Sequence, residues 1–109
     1  MVKFMVMFHK PTDLDTFERR YNEFLALIER MPDIQRRQVI NVLGSPVGEP
    51  RYYRVLEIYF NDVAQMQDSL RSKAGQEAGW EMGRVFPADS VEAMFAEVYE
   101  EAGGSTPIH

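Results

Sequence analysis

The chain has 109 residues, 45% of them hydrophobic and 27% charged, with 12 Lys and Arg against 17 Asp and Glu and a net charge of −5. That length supports a single domain, the composition is globular rather than disordered, and the acidic balance lacks the electrostatic footprint of a nucleic-acid binder. With no cysteine and two histidines, His9 and His109, disulfides, thiolate nucleophiles, Cys-based metal centres and a multi-histidine site within one chain are all excluded.

The first eleven residues, MVKFMVMFHKP, alternate in character. Val2, Phe4, Val6 and Phe8 fall on one side, and Lys3, Met5, Met7 and His9 on the other, which predicts a strand ended by Pro11. No cleavage site follows it, and no apolar run approaches the roughly 20 residues of a spanning helix, so a cytoplasmic protein without membrane attachment is expected. Thr12 or Asp13 then caps a helix over 14 to 30, in which Leu14, Phe17, Tyr21, Phe24, Leu25, Ile28 and Met31 recur at three- and four-residue steps. Pro32 and Asp33 break it. Residues 34 to 43 return to alternation, and the turn-forming stretch Gly44 to Pro50 joins them as a hairpin to the most strand-like run of the chain, 52 to 61.

In that run Leu56, Ile58 and Phe60 point one way, and Tyr53, Val55, Glu57 and Tyr59 the other. Both faces are largely apolar, so both need cover. Asn61 or Asp62 caps a second helix carrying Val63, Met66 and Leu70. Over 72 to 86 a further helical segment with Ala78, Trp80, Met82 and Val85 is weakened by Gly75, Gly79 and Gly83. Residues 90 to 99 alternate as a last strand, and the tail from Gly103 is expected to be loose or bound to a partner.

The order strand, helix, strand, strand, helix, strand is the split unit of an α+β, ferredoxin-like fold with a four-stranded antiparallel sheet. Right-handed crossovers place both helices on one sheet face. Met5, Met7, Tyr53, Val55 and Tyr59 are assigned to the other, where a second copy of the chain is the simplest cover, giving a dimeric α+β barrel.

Four stretches in order carry a resemblance: Phe8-His9-Lys10-Pro11; Val42-Leu43-Gly44-Ser45-Pro46-Val47-Gly48 running into Tyr52-Tyr53; Glu57-Ile58-Tyr59-Phe60-Asn61-Asp62; and Ser72-Lys73-Ala74-Gly75-Gln76-Glu77-Ala78-Gly79. Over roughly residues 2 to 99 the chain resembles the EthD family, small dimeric α+β barrel proteins named after a component of bacterial ethyl tert-butyl ether degradation. The resemblance implies a homodimer in bacterial small-molecule catabolism. The wider superfamily includes cofactor-free monooxygenases, muconolactone isomerases, polyketide cyclases and haem-handling enzymes. Family members commonly carry a first-helix histidine in a pattern like Tyr-x-x-x-His-x-Pro-Leu. The matching stretch here, Tyr21-Asn22-Glu23-Phe24-Leu25-Ala26-Leu27, has neither the histidine nor the proline, so nothing in it can transfer a proton or ligate iron through a ring nitrogen.

Each remaining candidate has two readings. His9 is a general base or a solvated strand-end histidine. Glu57 is a desolvated catalytic carboxylate or half of an ion pair with Arg37 or Arg54 of either chain. Tyr21, Tyr53 and Tyr59 donate hydrogen bonds to a substrate oxygen or are core residues with a wet hydroxyl. Phe24, Trp80 and Met82 line an apolar pocket or pack the dimer. Neither a metal nor a cofactor is expected, and haem has only His9 as a nitrogen ligand. Two function classes follow. The loss of the helix histidine favours an accessory or binding protein for a hydrophobic metabolite or a partner enzyme; the alternative is a metal-free isomerase, cyclase or monooxygenase working by proton transfer in an apolar pocket.

Overall fold

In the computed structural model, which describes residues 1–100, seven elements follow one another: β1 (Val2–His9), α1 (Leu14–Ile28), β2 (Arg36–Asn41), β3 (Tyr52–Phe60), α2 (Val63–Arg71), α3 (Lys73–Val85) and β4 (Val91–Glu97). The strands form one antiparallel sheet in the order β2-β3-β1-β4, as the ferredoxin-like reading requires. The expectation for the tail falls on residues 101–109, outside the described part.

The even residues of β1 and β3 face the helices. Val6, Phe8, Leu56, Ile58 and Phe60 join Phe17, Tyr21, Phe24 and Ile28 of α1 and Met66 of α2 in one core. Phe8 is its hub, with Phe17, Tyr21 and Phe86 edge-on or tilted around it at centroid distances of 5.0 to 5.5 Å. Such aromatic pairs add about 0.5–1.5 kcal/mol each beyond simple burial. Both long crossovers start from aspartate caps: Asp13 accepts from the amide of Thr16, and Asp62 from that of Gln65.

Residues 72 to 86 depart from the expected weak segment by forming a regular helix. Its glycines have separate reasons. Ser72 caps α3 by accepting from the Gly75 amide, and a Cβ on Gly75 would lie 2.3 Å from the carbonyl oxygen of Ser69. Only glycine lets α3 leave so sharply from the end of α2. Nothing lies within 4 Å of a Cβ built on Gly79 or Gly83, so those two leave room beside the helix. The helix is held by packing on α1 and α2 rather than by propensity.

The strand alternation has one break. Phe8 pairs with Arg54 and His9 with Tyr52, so Tyr53 sits in a bulge with no partner on β1. Its side chain consequently turns to the helix side, where the ring meets Phe17 edge-on at 5.4 Å and the hydroxyl donates to Glu18 at 3.0 Å. This corrects its assignment to the uncovered face.

Candidate functional site

The uncovered sheet face carries, row by row, Arg36, Tyr59, Lys3 and Ala96; Gln38, Glu57, Met5 and Met94; and Ile40, Val55, Met7 and Glu92. Its middle is apolar, and one carboxylate is sunk in it. Glu57 is 4% exposed, accepts from Lys3 Nζ at 2.8 Å and from the Tyr59 hydroxyl at 3.0 Å. Burial works against the Lys3 ammonium, but the hydrogen bond and charge of Glu57 overcome it and raise the lysine pKa above its ordinary value. The expected partners of Glu57 are corrected. Arg37 and Arg54 pair across the sheet with Ile58 and Phe8, so both project to the helix side, where they bind Glu29 and Glu18. Glu57 and Tyr59 are therefore spent on each other and on Lys3.

A second polar cluster lies under α1. Arg54 donates from Nη1 and Nη2 to the two oxygens of Glu18 at 2.6 and 3.0 Å, donates from Nε to Asn41, and lies 4.5 Å from the centroid of the Tyr21 ring. The hydrogen bond from Arg54 holds the Glu18 carboxyl below the usual carboxylate range, against burial and aided by Tyr53. Tyr21 is buried, and its hydroxyl has no hydrogen-bond partner among the described residues; burial raises its pKa, opposed by Arg54. Counted from Tyr21, Leu25 stands where the family pattern places its histidine, half-buried against the core. Phe24 is fully buried and, with Met82, lines a cavity of about 40 Å³ beneath Gly75 and Gly79. Trp80 is 77% exposed and does not line that cavity.

The cleft suited to a small ligand lies elsewhere, where β1 leaves the sheet, α1 begins and the chain runs from α3 into β4. It encloses about 300 Å³ between His9, Pro11, Thr16 and Phe17 on one side and Val85, Phe86, Pro87 and Ser90 on the other, with Arg20 between them. Arg20 ties the two walls together by donating to the Val85 carbonyl at 2.7 Å, and the His9 amide donates to the Ser90 carbonyl at 2.9 Å. The exposed lining surface is mainly apolar, with Lys10 and Arg20 set against Asp13 and Asp89 among its polar groups, and the volume is at the lower end of the about 300–1,000 Å³ of small-molecule sites.

Of the residues expected to act, His9 alone borders this cleft. Its Nε2 lies 2.6 Å from Glu92 Oε2, across the β1–β4 pair, and its ring meets Tyr52 edge-on at 5.5 Å. Hydrogen bonds from His9 and then Tyr52 lower the Glu92 pKa, so the carboxylate accepts and Nε2 carries the proton. Ligation of haem iron through Nε2 requires that bond to break. Among the described residues no three His, Asp or Glu side chains converge as a metal site, and no helix is long and apolar enough to cross a membrane.

No family model matches the chain, and no curated protein does. Solved structures do. An EthD family protein from Bacillus halodurans superposes with a TM-score of 0.85 at 27% identity, over 91% of this chain and 99% of that one. The chain resembles the EthD family. A dimeric ferredoxin-like protein of unknown function from Jannaschia aligns with the EthD-like chain at TM-score 0.68 and 16% identity, over 90% of it and 100% of the neighbour. SnoaB, a cofactor-independent oxygenase from Streptomyces nogalater, does so at 0.65 and 13%, over 94% and 96%. At those identities the last two share the fold alone with it.

The residues that sequence reading missed are Arg20 and Phe86 in the cleft and Glu92, the partner of His9. Phe86 follows a segment that the glycines made hard to place. Glu92 stands 83 residues from its partner His9, and only the strand order brings the two together.

Proposed function

We propose that the protein is a homodimer that holds a small, largely apolar molecule in the cleft between α1 and the α3–β4 connection, as a binding or accessory protein of small-molecule catabolism. The observation that carries this reading is the 300 Å³ cleft itself, walled by Phe17, Val85, Phe86 and two prolines, and braced by Arg20. The core under the helices has room for little else, about 40 Å³ beside Phe24. Apolar walls interspersed with polar groups suit an aromatic or lactone-like compound.

The dimer is supported by the uncovered face. Met5, Val55, Ile40 and Met94 lie there without helices above them, and the β2–β3 hairpin extends Leu43 and Val47 at 99% and 91% exposure. Covering such a surface is worth about 25 cal/mol per Å² of apolar area. On that face Glu57 is ion-paired with Lys3, and Glu92 accepts a hydrogen bond from His9.

The test is a thermal-shift panel of monocyclic and bicyclic aromatic compounds on the wild type and on Thr16→Trp, which fills the cleft from its α1 wall while keeping the amide that Asp13 caps. Compounds that raise the wild-type Tm and leave the variant unmoved support the site. Equal shifts in both proteins contradict it.

A further inference from the structure

We propose that two copies of the chain meet edge to edge as well as face to face, with β2 of one antiparallel to β4 of the other in a single register. Val39 stands opposite the partner's Phe95, Ile40 opposite the partner's Met94, and Leu43 of the hairpin opposite the partner's Val91. This rests on the homodimer reading and states how that dimer closes.

Three observations converge on it. First, β2 and β4 are the two edges of the sheet and run in opposite directions. β2 carries Arg36 and Arg37 and no acid, and β4 carries Glu92 and Glu97 and no base. When two uncovered faces meet about a twofold axis lying along the strands, each β2 comes beside the partner's β4, antiparallel to it. An axis across the strands sets basic edge on basic edge and acidic on acidic, which like-charge repulsion opposes. The first arrangement also leaves neither edge with a free row of backbone groups.

Second, the side chains select the register. The uncovered face takes Arg36, Gln38 and Ile40 from β2 and Glu92, Met94 and Ala96 from β4, so matched faces allow only slips of two residues. In the proposed register exposed Val39 and the partner's exposed Phe95 cover each other on the helix side, and exposed Ile40 and the partner's exposed Met94 do so on the inner side. Arg37 then faces the partner's Glu97; its Nη2 binds Glu29, and the guanidinium has further donors to give. A slip one way sets Val39 against the partner's Glu97, and a slip the other way sets Ile40 against the partner's Glu92. Third, the same register brings the hairpin to a socket. Pairing continues past Asn41, since the Val42 amide donates to the Tyr53 carbonyl at 3.1 Å, and Leu43, fully exposed in the single chain, keeps the parity of Val39. Each chain has a hollow of about 130 Å³ between α3 and β4, lined by Met82, Phe86, Val91 and Ala93, close in size to the roughly 150 Å³ that accepts one benzene ring. Leu43 arrives at the partner's Val91, in the wall of that hollow. Phe86 and Pro87 line both the hollow and the ligand cleft, so the hairpin of one copy backs a wall of the other's cleft.

Paired cysteines test this, because the chain has none of its own. Val39→Cys with Phe95→Cys, and Leu43→Cys with Val91→Cys, set thiols directly opposite across the edge, where Cα atoms of antiparallel partners lie about 4.5–5.5 Å apart and a disulfide closes without distortion. Within one chain the order β2-β3-β1-β4 separates the two edges by roughly 14 Å, too far for either pair to close on itself. Val39→Cys with Ala93→Cys, and Val39→Cys with Glu97→Cys, are the slipped comparisons. Under mild oxidation both opposed pairs should reach dimer mass on a non-reducing gel about tenfold faster than the slipped ones. Leu43→Asp should raise the dimer Kd by about 100-fold or more, because a symmetric pair buries that leucine twice, and Val63→Asp on α2 should leave it unchanged. If the wild type scatters as a dimer and the opposed pairs, or the Leu43 and Val91 pair alone, cross-link no faster than the slipped ones, the proposal is overturned and the homodimer reading stands. A wild-type monomer overturns both, and assigns the hairpin to a partner other than this chain.

Discussion

Replacing Glu57 by Gln removes one charge from the middle of the uncovered face and changes almost nothing in volume. The side chain is 6% exposed and its partner Lys3 18%. Deleting one member of a fully buried pair costs about 3–5 kcal/mol, because the other charge is left uncompensated. Lys3 keeps some contact with water, so the cost here should be lower, about 2 kcal/mol. For a chain of this length that corresponds to a fall of about 8 °C in Tm at neutral pH. Replacing both residues, Lys3→Met with Glu57→Leu, should recover most of the loss, since an apolar pair of similar volume needs no compensation. The pH dependence has a defined sign. The folded-state pKa of Lys3 is raised above 10.5, so the stabilisation is complete below that pH and fades as pH rises through the folded value. The Tm gap between wild type and Glu57→Gln should therefore be constant around neutrality and close in strong alkali. A Glu57→Gln protein melting within 1 or 2 °C of wild type would refute the structural reading of this carboxylate, with roughly 4 °C expected per kcal/mol.

Three further outcomes are expected. The hydrogen bond from Arg54 holds the Glu18 carboxyl below its ordinary 4.5, so that pair stabilises the fold above pH 4.5 and is lost as pH falls through the lower folded value; the Tm difference between wild type and Glu18→Gln should vanish on acidification. Gly75→Ala forces a methyl against the carbonyls of Ser69 and Leu70 and should cost about 1–3 kcal/mol or more by chemical denaturation, whereas Gly79→Ala enters open space and should stabilise α3 by up to about 1 kcal/mol. Light scattering at micromolar concentration should give twice the chain mass of 12.7 kDa. A monodisperse monomer would contradict the covered face.

Much of this architecture could be read from residue spacing. The period of Phe17, Tyr21, Phe24 and Ile28 located α1 to within two residues, and alternation in β1 and β3 located the sheet centre, because long elements repeat one signal many times. The edge strands were placed too long by a residue or more at each end: β2 is exposed throughout and ends where pairing ends, a tertiary fact. Three glycines made α3 read as a weakened helical segment, since propensity counts Gly75 as a weakness although packing needs it there. A one-residue bulge opposite Phe8 reversed the direction of Tyr53, and no composition signal marks such a bulge. In the cleft, His9 was visible as the lone strand-end histidine. Its carboxylate partner was not, because only the pairing of β4 with β1 brings Glu92 beside it.

The cleft is tested most directly by mapping a bound aromatic compound through backbone amide and methyl shifts in a titration of the isotope-labelled protein. Saturable changes confined to His9, Thr16, Phe17, Val85, Phe86 and Ser90 are the predicted result. Changes centred on Trp80, or spread over the uncovered sheet face with the cleft residues unmoved, would contradict it.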